Sequence, residues 1–198
     1  MKYTLYKPNS KNTGAVFTFD SVNDKQGKPV LFISMIQQYS WNENTKNGSF
    51  KENAKNPEKS ATIKLTDGEA GEILSSLSSR IPFVAFHRKE DSTTIIKFSP
   101  WDKDRKIKER QEEQVYKTPA WGLSVSKNSA QTFKLPIEAG EAEVIRILLS
   151  DYIQRCLTNA NQQFQDKYSS NNNKQEKSQA PAKSSMKDAI DIDEDVPF

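Results

Sequence analysis

A short internal repeat constrains the fold of this 198-residue chain more than any other sequence feature. The segment T-I-K-L at 62–65 is followed by E-A-G-E at 69–72, and T-F-K-L at 132–135 is followed by E-A-G-E at 138–141. The first segment of each copy alternates polar and apolar side chains, which predicts a half-buried strand that leads into a helix. A junction of strand and helix that recurs in two halves of similar length predicts a duplicated fold.

Hydrophobic periodicity extends this repeat into two similar halves. Thr66-Asp67-Gly68-Glu69 predicts a capping box at the start of a first helix, which Pro82 ends. Apolar residues three or four apart predict a longer second helix from Val144 to Cys156. The pattern ββββα therefore occurs twice and predicts an α+β fold with two antiparallel sheets and two packed helices. The predicted strands are residues 15–20, 29–36, 47–51 and 62–65, and residues 83–88, 93–99, 121–126 and 132–135.

Composition divides the chain into three parts. Residues 1–157 form the predicted folded domain, with repeats at about 1–80 and 81–157. Residues 158–187 are rich in Asn, Gln, Ser and Lys, so they bury too little apolar surface to offset chain entropy, and we expect a disordered linker. Residues 188–198 form an acidic tip.

Charge is segregated along the chain. The formal charge is +3, yet residues 188–198 contain five acids and no base, so residues 1–187 carry a formal charge of +8. A basic body suits a polyanion, because each phosphate that it neutralises releases condensed counterions. A solvated Lys-rich surface without a partner is the alternative that charge alone leaves open.

Several functional classes lack the residues that they require. One cysteine and one histidine are too few for a structural zinc site, and no glycine cluster forms a nucleotide-phosphate loop. Asp102 and Asp104 could hold a divalent ion in a nuclease, but Lys103, Arg105 and Lys106 would compete for these carboxylates. We therefore expect no enzymatic activity, no cofactor and no metal. The sequence predicts neither a secretory signal nor a membrane span.

Aromatic and basic residues alternate in polar parts of the chain where core residues are not expected. A ring can stack on any exposed base of a single strand, at about 1–3 kcal/mol per base, while Lys and Arg follow the phosphates. Phenylalanines on the apolar strands instead fit core packing. The predicted nucleic-acid contacts are Lys28, Tyr39, Trp41, Lys46, Phe50, Lys51, Lys55, Lys59, Lys64, Arg88, Lys97, Trp101, Lys103, Arg105, Lys106, Trp121 and Lys134.

The last eight residues carry the most specific pattern of the chain. A terminal Phe can fill an apolar pocket, its carboxylate can meet a basic side chain, and the preceding acids can attract a basic partner. The predicted partner-binding residues are Asp191, Asp193, Glu194, Asp195, Val196, Pro197 and Phe198. This pattern resembles the acidic C-terminal tip of bacterial and phage single-stranded-DNA-binding proteins. The resemblance implies docking on replication or recombination proteins and the cytoplasm of a bacterial or phage-infected cell.

The body resembles a different group of single-strand binders. A duplicated ββββα body is similar to Whirly-type proteins, and Gly27-Lys28-Pro29-Val30-Leu31 is similar to the Lys-Gly-Lys-Ala-Ala-Leu segment of plant Whirly proteins. In this chain Gln26 stands where the first Lys of that segment would be. The Whirly resemblance implies a homo-oligomer. The alternative fold is the oligonucleotide-binding (OB-fold) barrel, a five-stranded Greek key.

These features together predict a non-enzymatic protein that binds single-stranded DNA without sequence specificity. It would protect DNA during replication, recombination and repair, and recruit other proteins through its acidic tip. The absence of a compact recognition helix argues against sequence-specific reading of a duplex. The alternative function is that of an RNA-binding regulator or a transcription cofactor on the same fold, and contacts to the 2′-hydroxyl would separate RNA from DNA binding.

Overall fold

The computed structural model describes residues 1–109, 112–128 and 130–178. The helices in this part of the chain are α1 (Asp67–Ser79) and α2 (Ala139–Ser178), with a short 3-10 helix at Asn53–Lys55. The strands are β1 (Lys2–Lys7), β2 (Ala15–Asn23), β3 (Pro29–Gln37), β4 (Ser40–Asn42), β5 (Asn47–Ser49), β6 (Ser60–Leu65), β7 (Phe83–Lys89), β8 (Ser92–Glu109), β9 (Glu112–Lys127) and β10 (Gln131–Glu138).

Each half of the chain forms one antiparallel sheet of four strands. Sheet 1 has the strand order β1-β2-β3-β6, and sheet 2 has the order β10-β9-β8-β7. The predicted α+β fold with two antiparallel sheets and two helices is therefore confirmed. Among the described residues, β1 does not pair with β6, and β10 does not pair with β7. The OB-fold barrel is therefore wrong as the alternative, because these sheets stay open.

Sheet 1 contains a strand that the sequence analysis passes over. Residues 47–51 are predicted to belong to the sheet, but Asn47–Ser49 pairs only with β4 and forms a separate hairpin. The fourth strand of sheet 1 is β1, in which Tyr3 and Leu5 lie on the core side. The alternation in K-Y-T-L-Y-K is the sequence signal for this strand.

The two helices begin in the same way. The Glu69 N–H donates to Thr66 Oγ1 at 3.2 Å and the Thr66 N–H donates to Glu69 Oε2 at 2.9 Å, which confirms the predicted capping box. At α2 the Glu138 N–H donates to Glu141 Oε2 at 2.9 Å. Glu69 therefore corresponds to Glu141 and not to Glu138. The T-x-K-L match reflects equivalent strands, whereas the E-A-G-E match is offset by three residues, about one helical turn.

Each helix is tied to the sheet of the other half. Glu69 of α1 pairs with His87 of β7, and Glu141 of α2 pairs with Lys7 of β1 at 2.5 Å between Oε1 and Nζ. Burial alone raises the pKa of Glu69, but the hydrogen bonds from Thr66 and His87 lower this pKa below its ordinary value. The exchange joins both halves in one compact unit, Met1–Ala160.

One hydrophobic cluster joins the inner faces of both sheets with α1 and α2. Phe17, Phe19, Phe98 and Phe133 are fully buried in it, as the strand patterns predict, and Phe83 packs against it. Phe32 is also predicted to lie in the core, but it lies opposite Lys64 on the outer face of sheet 1. Val144 is predicted to lie on the apolar face of α2 but is 41% exposed. Val144 lies about 100° around the helix from Ile145, which is fully buried, so Val144 points away from the core.

Helix α2 is longer than the sequence analysis predicts. It continues to Ser178, so residues 158–178 are helical and do not belong to the disordered linker predicted for 158–187. No Gly or Pro interrupts residues 141–178, and Gln, Lys and Ala favour the helix. A second unit begins at Asn161 and is helical to Ser178. Residues 179–187 of the predicted linker and the tip at 188–198 lie outside the described residues.

No helix in the described ranges combines the length and the apolar character that a bilayer span requires.

Candidate nucleic-acid interface

The outer face of sheet 2, which points away from the hydrophobic cluster, carries a shallow, largely apolar groove of about 390 Å³ that includes two lysines in its lining. Strand register places Lys97 of β8 and Lys134 of β10 on either side of Ser124 of β9. Trp101 lies two positions beyond Ser99 on β8, on the same face. The groove is lined on this face by Lys97, Ser99, Trp101, Gly122, Ser124, Lys134 and Pro136.

The floor of the groove is made of small side chains. A Cβ added at Gly122 would meet nothing closer than the Ser99 carbonyl oxygen at 3.9 Å, so the space above the strand is open. The backbones of Lys97 and Lys134 are separated by one strand, which places them about 10 Å apart. Two ammonium groups therefore flank an open floor that an extended polymer can approach.

Strands β8 and β9 continue beyond the sheet as a two-stranded ribbon, residues 102–109 and 112–119. In the described chain no third strand pairs with it. The alternation D-K-D-R at 102–105 separates charge by face, because neighbouring side chains of a strand point in opposite directions. Lys103 and Arg105 continue the groove face of Trp101, whereas Asp102 and Asp104 lie on the opposite face.

The acidic pair that suggested a nuclease is directed away from the groove. Arg80 Nη2 lies 2.7 Å from Asp102 Oδ1 and occupies one of these carboxylates. Across the ranges that the structure describes, no group of three His, Cys, Asp or Glu side chains could hold a metal ion. The groove thus has cations and an indole to offer a ligand.

One cation of this face is already paired. Lys103 Nζ lies 2.5 Å from Glu138 Oε1. The hydrogen bond from Lys103 is the main cause that lowers the pKa of Glu138. Burial alone would raise this pKa, and the positive charges of Lys103, Lys7 and Arg105 lower it further. Within the described residues Lys97, Arg105 and Lys134 form no ion pair, so their charges remain available.

Six of the seventeen predicted contact residues lie on this face, and five of them lie close together at the groove and the start of the ribbon. Trp101 exposes 43% of its surface there, which suits a stacking residue. Arg88 lies on the same face at the far end of β7, opposite Thr93. The five residues are Lys97, Trp101, Lys103, Arg105 and Lys134.

Other predicted contacts lie elsewhere on the fold. Lys106 lies on the back of the ribbon, 2.6 Å from Glu113, and Lys64 lies on the outer face of sheet 1 opposite Phe32. Lys28 belongs to the turn between β2 and β3, after Gly27 with its φ of 78°. Within or near the β4–β5 hairpin and the segment that follows it are Tyr39, Trp41, Lys46, Lys51, Lys55 and Lys59.

Two predicted stacking residues are buried instead. Phe50 is 9% exposed and packs edge-on against Tyr6, with ring centroids 5.0 Å apart. Trp121 is 6% exposed, donates from Nε1 to the Ser76 carbonyl of α1 at 3.4 Å, and has the Arg80 guanidinium 5.7 Å from its ring centroid. Neither ring presents a face to a base, so the structure removes both from the set of candidate contacts.

Tyr116 is a further exposed aromatic residue on this face that the sequence patterns do not identify. Tyr116 lies directly opposite Arg105 on the groove face of the ribbon and is 41% exposed. The face on which it lies depends on where β8 turns into β9. Composition gives no signal for that position, since residues 102–119 are as polar as a loop.

Comparisons with known proteins support the fold. A scan against protein-family models found no match, and a search of curated proteins found no significant match. The solved structure of WHY1 from Arabidopsis thaliana matches with a TM-score of 0.50 and 14% identity, over 85% of this chain and 92% of that one. WHY3 from the same plant matches with a TM-score of 0.49 and 13% identity, over 79% of this chain and 88% of that one. The plant transcriptional regulator PBF-2 also matches with a TM-score of 0.49 and 13% identity, over 80% of this chain and 82% of that one. The likeness to WHY1 agrees with the predicted Whirly-like fold.

Proposed function

We propose that this chain binds single-stranded DNA on the outer face of sheet 2 and catalyses no reaction. The observation that carries the proposal is the groove itself, in which Lys97 and Lys134 flank a floor of small residues and Trp101 exposes its ring. Lysines can follow the phosphates while an indole stacks on any base, so binding of this kind is largely independent of sequence. A duplex hides its base faces and suits such a groove less well.

Titration with single-stranded oligonucleotides tests this proposal. Tryptophan fluorescence should be quenched by dT strands, and the affinity should fall steeply with salt as counterions are released. Trp121 is 6% exposed and Trp41 lies in β4 outside the groove, so the quenching should come mainly from Trp101. Duplex DNA that binds as tightly as single strands would contradict the proposal. Tighter binding of a matched RNA strand would favour the RNA-binding regulator instead.

Replacing Trp101 by Ala should weaken single-strand binding about 10- to 100-fold, which corresponds to the loss of one stacked base. The thermal midpoint should fall much less than on truncation of the buried Trp121, since Trp101 is 43% exposed and Trp121 only 6%. Equilibrium binding and thermal unfolding measure the two effects. Tyr39→Ala removes an aromatic ring that is 56% exposed outside the groove, and serves as the control. Equal losses in both variants would show that binding does not depend on the groove.

We also propose that the acidic tip recruits replication, recombination or repair proteins. The sequence of the tip supports this, because its acids, its Pro and its terminal Phe suit a basic partner with an apolar pocket. Deletion of residues 191–198 should leave single-strand affinity equal or higher, since four acidic side chains that repel phosphates are removed.

The same deletion should abolish pull-down of the partners, and Phe198→Ala should do so while keeping every acid. Affinity for DNA is measured on the same preparations. A deletion variant that no longer binds DNA would mean that the tip and the body do not have separate tasks.

The Whirly-like fold supports a homo-oligomer, and the tip supports a place in the cytoplasm of a bacterial or phage-infected cell. WHY1 and WHY3 are plant proteins, so the cellular setting rests on the tip alone. Sedimentation measures the oligomeric state against the monomer mass of 22.5 kDa. A purely monomeric chain, with and without DNA, would contradict the oligomer.

A further inference from the structure

A second cavity of about 390 Å³ lies next to the groove, at the seam between the two sheets. Its volume is typical of sites that enclose a small organic group. Lys134 lines both the groove and this seam cavity, so a strand that follows the groove reaches the cavity next. The seam cavity is lined by Asn12, Thr13, Gly14, Ala15, Gln37, Thr132, Phe133 and Lys134.

The loop that forms one wall of the seam cavity is held in place by a buried amide. Gln38 is 5% exposed, and its Oε1 accepts from the Asn9 N–H at 2.8 Å. Its Nε2 donates to the Asn9 carbonyl at 2.9 Å, to Asn12 Oδ1 at 3.1 Å and to the Ser40 carbonyl at 3.0 Å. A Cβ on Gly14 would collide with Gln38 Oε1, so this close approach requires glycine. The wall is therefore formed before any ligand arrives.

Three polar groups in the lining keep unused hydrogen-bonding capacity within the described residues. Asn12 Oδ1 accepts from Gln38, which leaves its Nδ2 group as a donor. Gln37 Nε2 donates to the Thr132 carbonyl at 3.0 Å, which leaves its Oε1 as an acceptor. Lys134 Nζ makes no hydrogen bond or ion pair in that part of the chain and is a further donor. These three side chains thus offer two donor groups and one acceptor group, beside the hydroxyls of Thr13 and Thr132, which hydrogen-bond to Asn9 and Ser126.

We propose that the seam cavity takes up one base of the bound single strand and prefers a pyrimidine; this rests on the proposed single-strand binding. The pairing edge of thymine, uracil or cytosine presents two acceptors and one donor, which complements two donors and one acceptor. Guanine presents one acceptor and two donors, and adenine presents one of each. A purine therefore leaves a polar group of the cavity unpaired, which weakens binding.

The substitution Asn12→Asp tests this selectivity with little risk to the fold. Asp keeps the oxygen that accepts from Gln38, and it tolerates the left-handed φ of 56° at this position. It replaces the amino donor by an acceptor, so the lining then favours a base with more donors. Asn44→Asp adds the same charge in the β4–β5 loop, away from the cavity, and serves as the matched control.

The probes are dC tracts in which a single base is replaced in turn by thymine, adenine or guanine. At one position of the tract, the unmodified chain should bind a pyrimidine about tenfold more tightly than a purine. Asn12→Asp should abolish this preference or reverse it toward guanine, and Asn44→Asp should lower all affinities alike. Lys134→Met, which removes the second donor, should also reduce the preference.

A pyrimidine preference that survives Asn12→Asp and Lys134→Met unchanged would overturn the proposal, since it would then come from strand flexibility. The absence of any preference at every position would overturn it too. With either result, the proposal that the groove binds single strands still holds if Trp101→Ala weakens the binding of single strands. Failure of all oligonucleotides to bind would instead refute the proposed function.

Discussion

Replacing both Lys97 and Lys134 by Glu should lower the affinity for single-stranded DNA about 100-fold, because two charge-assisted contacts are lost. The two lysines flank the groove and form no ion pair in the described part of the chain. Both lie on the solvent side of sheet 2, so folding should be unaffected. The slope of log affinity against log salt should also become shallower by about 1.4, as expected for two phosphate contacts on a single strand.

The control for this prediction is the double variant Lys28→Glu and Lys64→Glu. It changes the net charge by the same amount, at exposed positions outside the groove. General electrostatics should weaken its binding only slightly at physiological salt, where exposed charges are screened beyond about 8 Å. Equal losses in the two double variants would show that total charge controls binding and that the groove has no special part in it.

Replacing Trp121 by Ala should reduce the free energy of unfolding by about 3–5 kcal/mol, the usual cost of truncating a buried Trp. The side chain is 6% exposed, bonds the Ser76 carbonyl and lies beneath the Arg80 guanidinium. Its loss would open a cavity between sheet 2 and α1. Urea denaturation measures the effect, which is a large part of the stability of a typical domain.

Trp101→Ala provides the contrasting control, because both variants remove the same side chain from the same sheet. It should lose binding and much less stability than Trp121→Ala, which should lose stability first. A Trp121→Ala chain of full stability that binds DNA poorly would restore the original prediction that Trp121 stacks on a base. It would also contradict the burial described above.

Much of the fold follows from local sequence patterns. Alternation identifies most of the strands, and the capping box at Thr66 identifies the start of α1. The same alternation also separates the two tryptophans. Trp121 falls in phase with the buried residues Leu123 and Val125, whereas Trp101 is in phase with the exposed Lys97. Composition in the surroundings of each Trp is similar, so phase and not composition decides which ring is exposed.

Other features depend on contacts that no local pattern records. The exchange of helices between halves needs the pairing of Glu141 with Lys7, which are far apart in sequence. The seam cavity combines Asn12, Gln37 and Lys134 from three separate segments. A polar stretch such as 102–109 suggests a loop by composition, yet it forms half of a ribbon because its partner strand pairs with it throughout.

Protection of lysines from acylation, measured by mass spectrometry with and without a single-stranded oligonucleotide, tests the central claim most directly. Lys97 and Lys134 should be strongly protected by the strand, while the exposed Lys25 and Lys51 should react equally in both samples. Protection of Lys51, Lys55 and Lys59 with full reactivity of Lys97 and Lys134 would place the nucleic acid on the other half of the chain and contradict the account.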